Sequence, residues 1–479
     1  MRRIDRDRAL PIGAALLVFG VAFTVFALSP VITNYDSLPA FPTAVSIVNR
    51  RTLSLNAYAH VHALATFYGV GRGGVRHGTS GPLLTLFPWG VALFAVPAVV
   101  FLDIAHLFGG PSADAVVAAN GHVERLAQLW SGSLVTALSC AALAVLAYRR
   151  LHGAPATRRR LAVGCALVFA FGTSAWSTLS RALWEQGPSL LMLALGLVAL
   201  DRLFPAEGRG EPRSARGAAL VAGAALMAAV AVRPTDGIAL VAAGGLLLWR
   251  RRRELPALIS GVLVVAVPWL AVTYFYYGSL LQGYDSAGRL SLRSTFPEAL
   301  ATNLVSPARG LLVFSPVVLV AGAGLVVAWR RRRLGSLEVM SCAAAPTYLV
   351  GTSLTREWYA GASYGPRFMV ETLPFLFVLS LPFVDWLRGW HAAKPASRRR
   401  AYRVAVPVLA VLVLVSVALN GEGAVVFASA CWNGSSQSFK SIERQPSRVW
   451  SWSDPQFDYG YRALATDGSE ALYACPARL

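Results

Sequence analysis

The chain has 479 residues, of which 55% are hydrophobic and 14% charged. A soluble domain carries roughly 25% charged residues, so composition excludes an ordinary soluble protein. A formal net charge of +20 would suit a nucleic-acid partner, but its distribution along the chain excludes that reading.

Basic clusters at 2–8, 149–160, 202–216, 250–253, 330–333 and 388–403 punctuate the apolar runs. With the carboxylates that flank them they hold 27 Lys/Arg against 8 Asp/Glu, and the rest of the chain holds 17 against 16. Positive charge gathered in alternate loops marks the cytoplasmic side of a polytopic membrane protein.

In chain order, the first apolar run covers 9–35, longer than the ~20 residues a helix needs to cross a bilayer. It lacks a small-x-small cleavage site near its end and is read as a retained helix. Residues 126–148 return to the cytoplasm, because Arg149 and Arg150 follow. The apolar stretch 82–108 between them therefore has both ends outside. It carries Pro82, Pro88 and Pro97, which predicts an interfacial or re-entrant helix pair. Segments at about 161–178, 186–203, 217–234, 236–249, 256–277, 310–329, 337–354, 367–389 and 403–420 complete an expected eleven spans. The fold class expected is an all-α membrane protein. Residues 1–420 form its transmembrane domain, with a first outer loop at 31–125, and 421–479 form a small outer module. No internal repeat is visible.

Chemistry-bearing residues gather on the outer side. Asp36-Ser37 follows the first helix, where a carboxylate serves either as a general base at the mouth of a bundle or as a helix cap. Arg72, Gly73, Gly74, Arg76 and His77 make a Gly-rich basic loop suited to a phosphate, or a plain solvated turn. His60 and His62 lack the neighbours a metal site needs. The turn 181–188 offers Arg181, Trp184 and Glu185, which either pair and anchor at the interface or bind substrate. Arg233-Pro234-Thr235-Asp236 joins two short helices at the outer surface. The densest stretch, 356–367, packs Arg356, Glu357, Trp358, Tyr359, Tyr364 and Arg367 together. Aromatic faces stack on sugars and Arg forks hold phosphate. Cys431 and Cys475 bracket the soluble-looking tail, where a disulfide is permitted. Walker loop, zinc spacing, nucleophile elbow and dinucleotide fingerprint are all absent from the sequence, and no Asp-x-Asp occurs in the outer loops.

Five motifs fall in order on the predicted outer face: Asp36-Ser37, Leu183-Trp184-Glu185-Gln186-Gly187-Pro188, Arg233-Pro234, Ser306-Pro307-Ala308-Arg309-Gly310-Leu311, and Trp358 through Arg367. Together with the tail's Val449–Gln456 they resemble the GT-C superfamily of polyprenyl-phosphate-dependent glycosyltransferases of bacteria. Gln186 departs from the family turn, which often has His there. The resemblance implies a GT-C type fold, an inverting, metal-independent transfer, and no cofactor. It makes Asp36 the catalytic base and Arg72, Arg76, Arg309 and Arg367 binders of the donor phosphate. His77, Arg181, Trp184, Glu185, Arg233, Trp358 and Tyr364 follow as substrate contacts. The implied partners are a polyprenyl-phosphate-linked sugar donor and a glycan or lipid acceptor of the cell envelope. The expected place is the bacterial inner (plasma) membrane, with the active site outside. A composition rich in Ala, Arg and Val, as in a high-GC bacterium, narrows the expected lipid to decaprenyl phosphate. A transporter or flippase for an anionic or lipid-linked substrate is the rival reading, although transporters usually show repeats and midplane polar groups.

Overall fold

The computed structural model of the chain describes residues 2–33, 36–61, 64, 68–70, 81–206, 215–282, 292, 295–391, 396–433, 442 and 444–476. Lipid offers a backbone no hydrogen-bond partner, so the apolar runs satisfy their own N–H and C=O groups as helices. The architecture is accordingly all-α, with one two-stranded antiparallel sheet, β1 (Tyr68–Val70) on β2 (Leu83–Thr85).

The N-terminal half holds α1 (Arg2–Leu28), α2 (Ala40–Arg50), α3 (Val96–His106), α4 (Ala113–Ala119) and α5 (His122–Arg150). It continues with α6 (Pro155–Gly172), α7 (Ser174–Ser177), α8 (Gln186–Leu203), α9 (Ala215–Val232) and α10 (Gly237–Arg250). The C-terminal half holds α11 (Leu255–Tyr277), α12 (Phe296–Val305), α13 (Leu311–Phe314), α14 (Leu319–Arg330) and α15 (Ser336–Ser353). It closes with α16 (Leu373–His391), α17 (Ala396–Val425) and α18 (Tyr459–Asp467).

Helix α1 packs on α5 and α6, α8 on α9, α9 on α11, and α14 on α16. The α9–α11 crossing is close because both helices present glycine there. A Cβ at Gly223 would lie 2.1 Å from the Leu258 carbonyl oxygen, and one at Gly261 2.0 Å from that of Leu220. Small residues that let backbones approach are how helices associate where lipid supplies no hydrophobic drive. On the outer faces of α1, α11 and α17, Leu16, Val264 and Leu414 are exposed. Large apolar side chains in that number face lipid, not water.

Among the described residues eight helices are long and apolar enough to cross a membrane, or nine if the pair Pro155–Gly172 and Ser174–Arg181, bent by 50°, is one broken span. The chain is thus a multi-pass membrane protein. The spans expected near 236–249, 310–329 and 337–354 are helical but short or polar. Helix α10 has 14 residues, and the apolar run Pro316–Arg330 is likewise short of a crossing. The stretch 82–108 is not the expected helix pair. It forms β2, then a 3-10 turn Trp89–Ala95 that continues into α3. Pro82 and Pro88 precede the helical run, and Pro97 sits where the 3-10 turn passes into the first turn of α3.

The bundle has two distinct ends. The Gln128 amide in the first turns of α5 accepts from Ser37 Oγ at 3.0 Å, which fixes the loop after α1. Arg150 closes the same helix about 33 Å away at 1.5 Å per residue, close to a bilayer's apolar thickness. The described residues of 427–433 and 444–476 fold back over the first of these ends. Their Trp432, Val449 and Tyr459 pack with Ala299, Ala308 and Trp358, and Cys431 and Cys475 are joined in a disulfide with a Cα–Cα distance of 5.6 Å.

Candidate functional site

The loop after α1 is held from two sides before it reaches Asp36. Arg181 is wholly buried, and its guanidinium donates to the carbonyls of Phe26 at 2.5 Å and Ser29 at 3.3 Å, and to Ser180 Oγ at 2.8 Å. The last carbonyls of a helix lack intrahelical partners, and a cation there satisfies them. Gln128 Nε2 in turn donates to the Leu38 carbonyl at 3.3 Å. Asp36 therefore sits on a short, clamped segment.

Arg367 reaches Asp36 from a point 331 residues further along the chain. It opens a 3-10 turn, Arg367–Thr372, just after Gly365, whose φ of +63° is the left-handed conformation that glycine adopts at little cost. Its Nη1 donates to Asp36 Oδ2 at 2.9 Å. The guanidinium also lies over the Trp184 ring at 4.4 Å and the Phe368 ring at 5.2 Å. The Arg367 side chain is 5% exposed and that of Asp36 26%. Nε of Arg367 and Nε1 of Trp184 are buried with no hydrogen-bond partner among the described residues. Two donors orphaned beside an ion pair are costly unless a ligand completes them.

Behind this pair lies a second one. Arg233, the residue before the Pro234 turn, forms ion pairs with Glu371 at 2.6 Å and Glu185 at 3.5 Å. Its guanidinium lies 5.5 Å from the Phe368 ring that Arg367 also covers. Asp236 is fully buried and accepts from Ser189 Oγ at 2.6 Å and Tyr348 OH at 2.8 Å. A cavity of about 20 Å³ opens between Asp36, Ser37, Trp184, Glu185, Phe87 and Trp89. That is room for about one water beside two carboxylates. Chemically the arrangement holds the Asp36 carboxylate in one orientation with the Arg367 guanidinium beside it.

The structure thus brings together Asp36, Trp184, Glu185, Arg233 and Arg367 from four separated segments. It does not bring Arg181, Arg309, Trp358 or Tyr364 to the same mouth. Arg181 is spent on the end of α1. Arg309 is wholly buried and donates to the carbonyls of Tyr359 at 2.7 Å, Gly361 at 2.8 Å and Ala308 at 2.7 Å, and to Gln456 Oε1. Four of its five N–H donors are taken by these oxygens, so it pins the turns around it and lies away from the mouth. Trp358 is buried in the cluster beneath the tail. Tyr364 is also buried and donates to the Leu419 carbonyl at 2.7 Å. Burial, followed by the nearby Glu422 carboxylate, raises the Tyr364 phenol well above its ordinary range. Arg72, Arg76 and His77 lie outside the described residues.

Phe368 and Glu371 escaped the sequence reading, and Gln456 entered it only as part of the tail motif. Glu371 carried a signal, since a carboxylate inside an apolar run implies a buried partner. Gln456 closes the tail motif Val449–Gln456, which assigned it no role. Its amide accepts from Gly365 N at 3.1 Å and donates to the Ser363 carbonyl at 3.1 Å, so the tail braces the loop that presents Arg367.

Fold and site together define a polytopic membrane protein with a carboxylate–arginine mouth at one end of its bundle. No protein-family model and no curated protein matches the chain. Among solved structures it is similar to two of ArnT from Cupriavidus metallidurans. The one bound to undecaprenyl phosphate shares 17% identity over 88% of this chain and 68% of that one, with a TM-score of 0.48. The apo structure shares 16% identity over 96% and 68%, with a TM-score of 0.49.

Proposed function

We propose that the chain is a GT-C type glycosyltransferase that moves a sugar from a polyprenyl-phosphate donor to a glycan or lipid acceptor of the cell envelope. The single observation that carries this reading is the Asp36–Arg367 ion pair, in which a clamped carboxylate meets an arginine with a donor to spare. Asp36 Oδ2 is occupied by Arg367, and Oδ1 has no partner among the described residues. In the proposed step the acceptor oxygen attacks the anomeric carbon and its proton passes to the Asp36 carboxylate. The bond from that carbon to the phosphate oxygen breaks, and polyprenyl phosphate departs with both electrons. One displacement inverts the anomeric centre. Arg367, with the loop arginines Arg72 and Arg76, would hold the departing phosphate, because fixed cations aimed at developing charge stabilise it without reorganisation. Trp184 would support the sugar ring, and His77 would line the acceptor path.

The same proposal puts the mouth outside the bacterial inner membrane, by the charge asymmetry of the loops. It treats 421–479 as an outer module and expects decaprenyl phosphate as the lipid. Purified protein in proteoliposomes with a radiolabelled polyprenyl-phosphate sugar tests the class. A transferase releases free polyprenyl phosphate and labels the acceptor. Movement of intact donor across the bilayer with no discharge would establish the transporter reading instead.

A further inference from the structure

The end of the bundle opposite Asp36 holds a cavity of about 590 Å³ where α5, α8, α10, α14, α15 and α16 meet. Among the described residues six arginines line it, Arg150, Arg250, Arg251, Arg331, Arg332 and Arg333, against two carboxylates, Glu338 and Asp385. Both carboxylates are engaged by the protein. Arg150 takes Glu338 at 2.5 Å and Asp201 at 3.2 Å, while Asp385 accepts from His152. Among the described residues the cavity lining thus carries more arginines than carboxylates. Membrane topology explains basic residues at this end. It does not explain a concave site ringed by them.

Two further observations point to an occupant. Arg332 adopts a φ of +52°, the left-handed conformation at the end of α14, with its N–H on the Trp329 carbonyl and that of Arg333 on the Ala328 carbonyl. That is the helix-ending motif in which glycine is the usual residue at this position, since a side chain there is strained. The chain carries the strain and gains a guanidinium on the cavity wall. Glu338 Oε2, moreover, is buried at the cavity with no hydrogen-bond partner among the described residues, an acceptor waiting for a donor. Leu203, Phe204, Leu334 and Leu381 give the same cavity an apolar side.

We propose that this cavity binds a phosphate ester that also carries a hydroxyl. The arginines take the phosphate and Glu338 the hydroxyl. The chemistry fits a glycerol-bearing anionic phospholipid head group of the adjacent leaflet or a soluble polyol phosphate. Basic pockets between membrane helices on the cytoplasmic side hold anionic lipid head groups. The site is independent of the reaction at Asp36.

The test uses the full chain in neutral detergent, titrated separately with short-chain phosphatidylglycerol, short-chain phosphatidylcholine and glycerol 3-phosphate. Binding is read by calorimetry and by the unfolding midpoint. Arg332→Gly is the decisive variant, because glycine suits the turn and the fold should be retained or firmer. It should weaken the bound anion by about tenfold, one charge-assisted contact. Arg252→Gln, a substitution in the same basic region but outside the cavity, should change binding by less than about twofold, since an exposed charge contributes little. Binding of phosphatidylglycerol alone assigns the lipid source, and binding of glycerol 3-phosphate as well assigns the soluble one. Equal binding of the zwitterionic and anionic lipids, equal losses in the two variants, or no binding of either phosphate would overturn the proposal.

Discussion

Arg181 and Arg309 are buried as deeply as Arg367, yet they do different work. The first two meet carbonyls, a hydroxyl and an amide, and their planar forks are filled by the protein. Arg367 meets a carboxylate and two aromatic faces, and its Nε is left without a partner among the described residues. A buried arginine closed on backbone carbonyls is a strut. One held by a carboxylate at a cavity mouth, with a donor unspent, is built to receive something. Burial alone does not separate the two cases; the inventory of partners does.

Removing a strut should damage the fold most. Arg181→Ala leaves the Phe26 and Ser29 carbonyls unsatisfied and a large void, so a loss of about 3–5 kcal/mol in stability is expected. Thermal unfolding in detergent measures it, and an unchanged midpoint would erase the distinction between the two kinds of arginine. Opening the disulfide by Cys431→Ser comes next. Its ends are 44 residues apart, for which chain entropy predicts about 4 kcal/mol. That loss should fall on the tail, and through Gln456 it should loosen the loop of Arg367, so limited proteolysis and donor affinity should change together. Arg367→Ala should spare the fold and weaken donor binding by about tenfold to a hundredfold, the worth of one or two charge-assisted contacts.

The smallest effect concerns pH. Partial burial opposes ionisation of Asp454, but hydrogen bonds from Arg448 at 2.6 Å and Arg462 at 2.8 Å outweigh it and hold the carboxyl below its usual range. A carboxyl depressed in the folded state contributes stability above its unfolded pKa and loses it as pH falls through the folded value. The tail should therefore loosen only below about pH 4, with Asp454→Asn removing that dependence. Protease nicking of the tail against pH reads this directly.

These contrasts also show what the sequence could disclose. Apolar runs bounded by arginine marked most helices, because a bilayer imposes length and composition on any segment that crosses it. Asp36 and Arg367 were legible because a charge beside an apolar run needs a reason. The roles of Arg181 and Arg309 were not, since their partners are carbonyls, which every residue carries and no sequence distinguishes. Nor could spacing reveal that Phe368 lies under both Arg233 and Arg367, or that Gln456 braces Gly365 from 91 residues away. The stretch 82–108 misled for a local reason. Its prolines read as breaks in the sequence, whereas two lie ahead of the helical run and one in the first turn of α3.

The central claim is that Asp36 takes the acceptor's proton, and its most direct test is turnover of Asp36→Asn in proteoliposomes with a defined polyprenyl-phosphate sugar. Asparagine keeps the size of the side chain and leaves an acceptor for Arg367, but it cannot take up that proton. At least about a hundredfold loss of transfer is expected, with donor binding and unfolding midpoint little changed. Near-normal turnover in the variant would contradict it, and Asp36 would then be a capping residue at the end of the first helix.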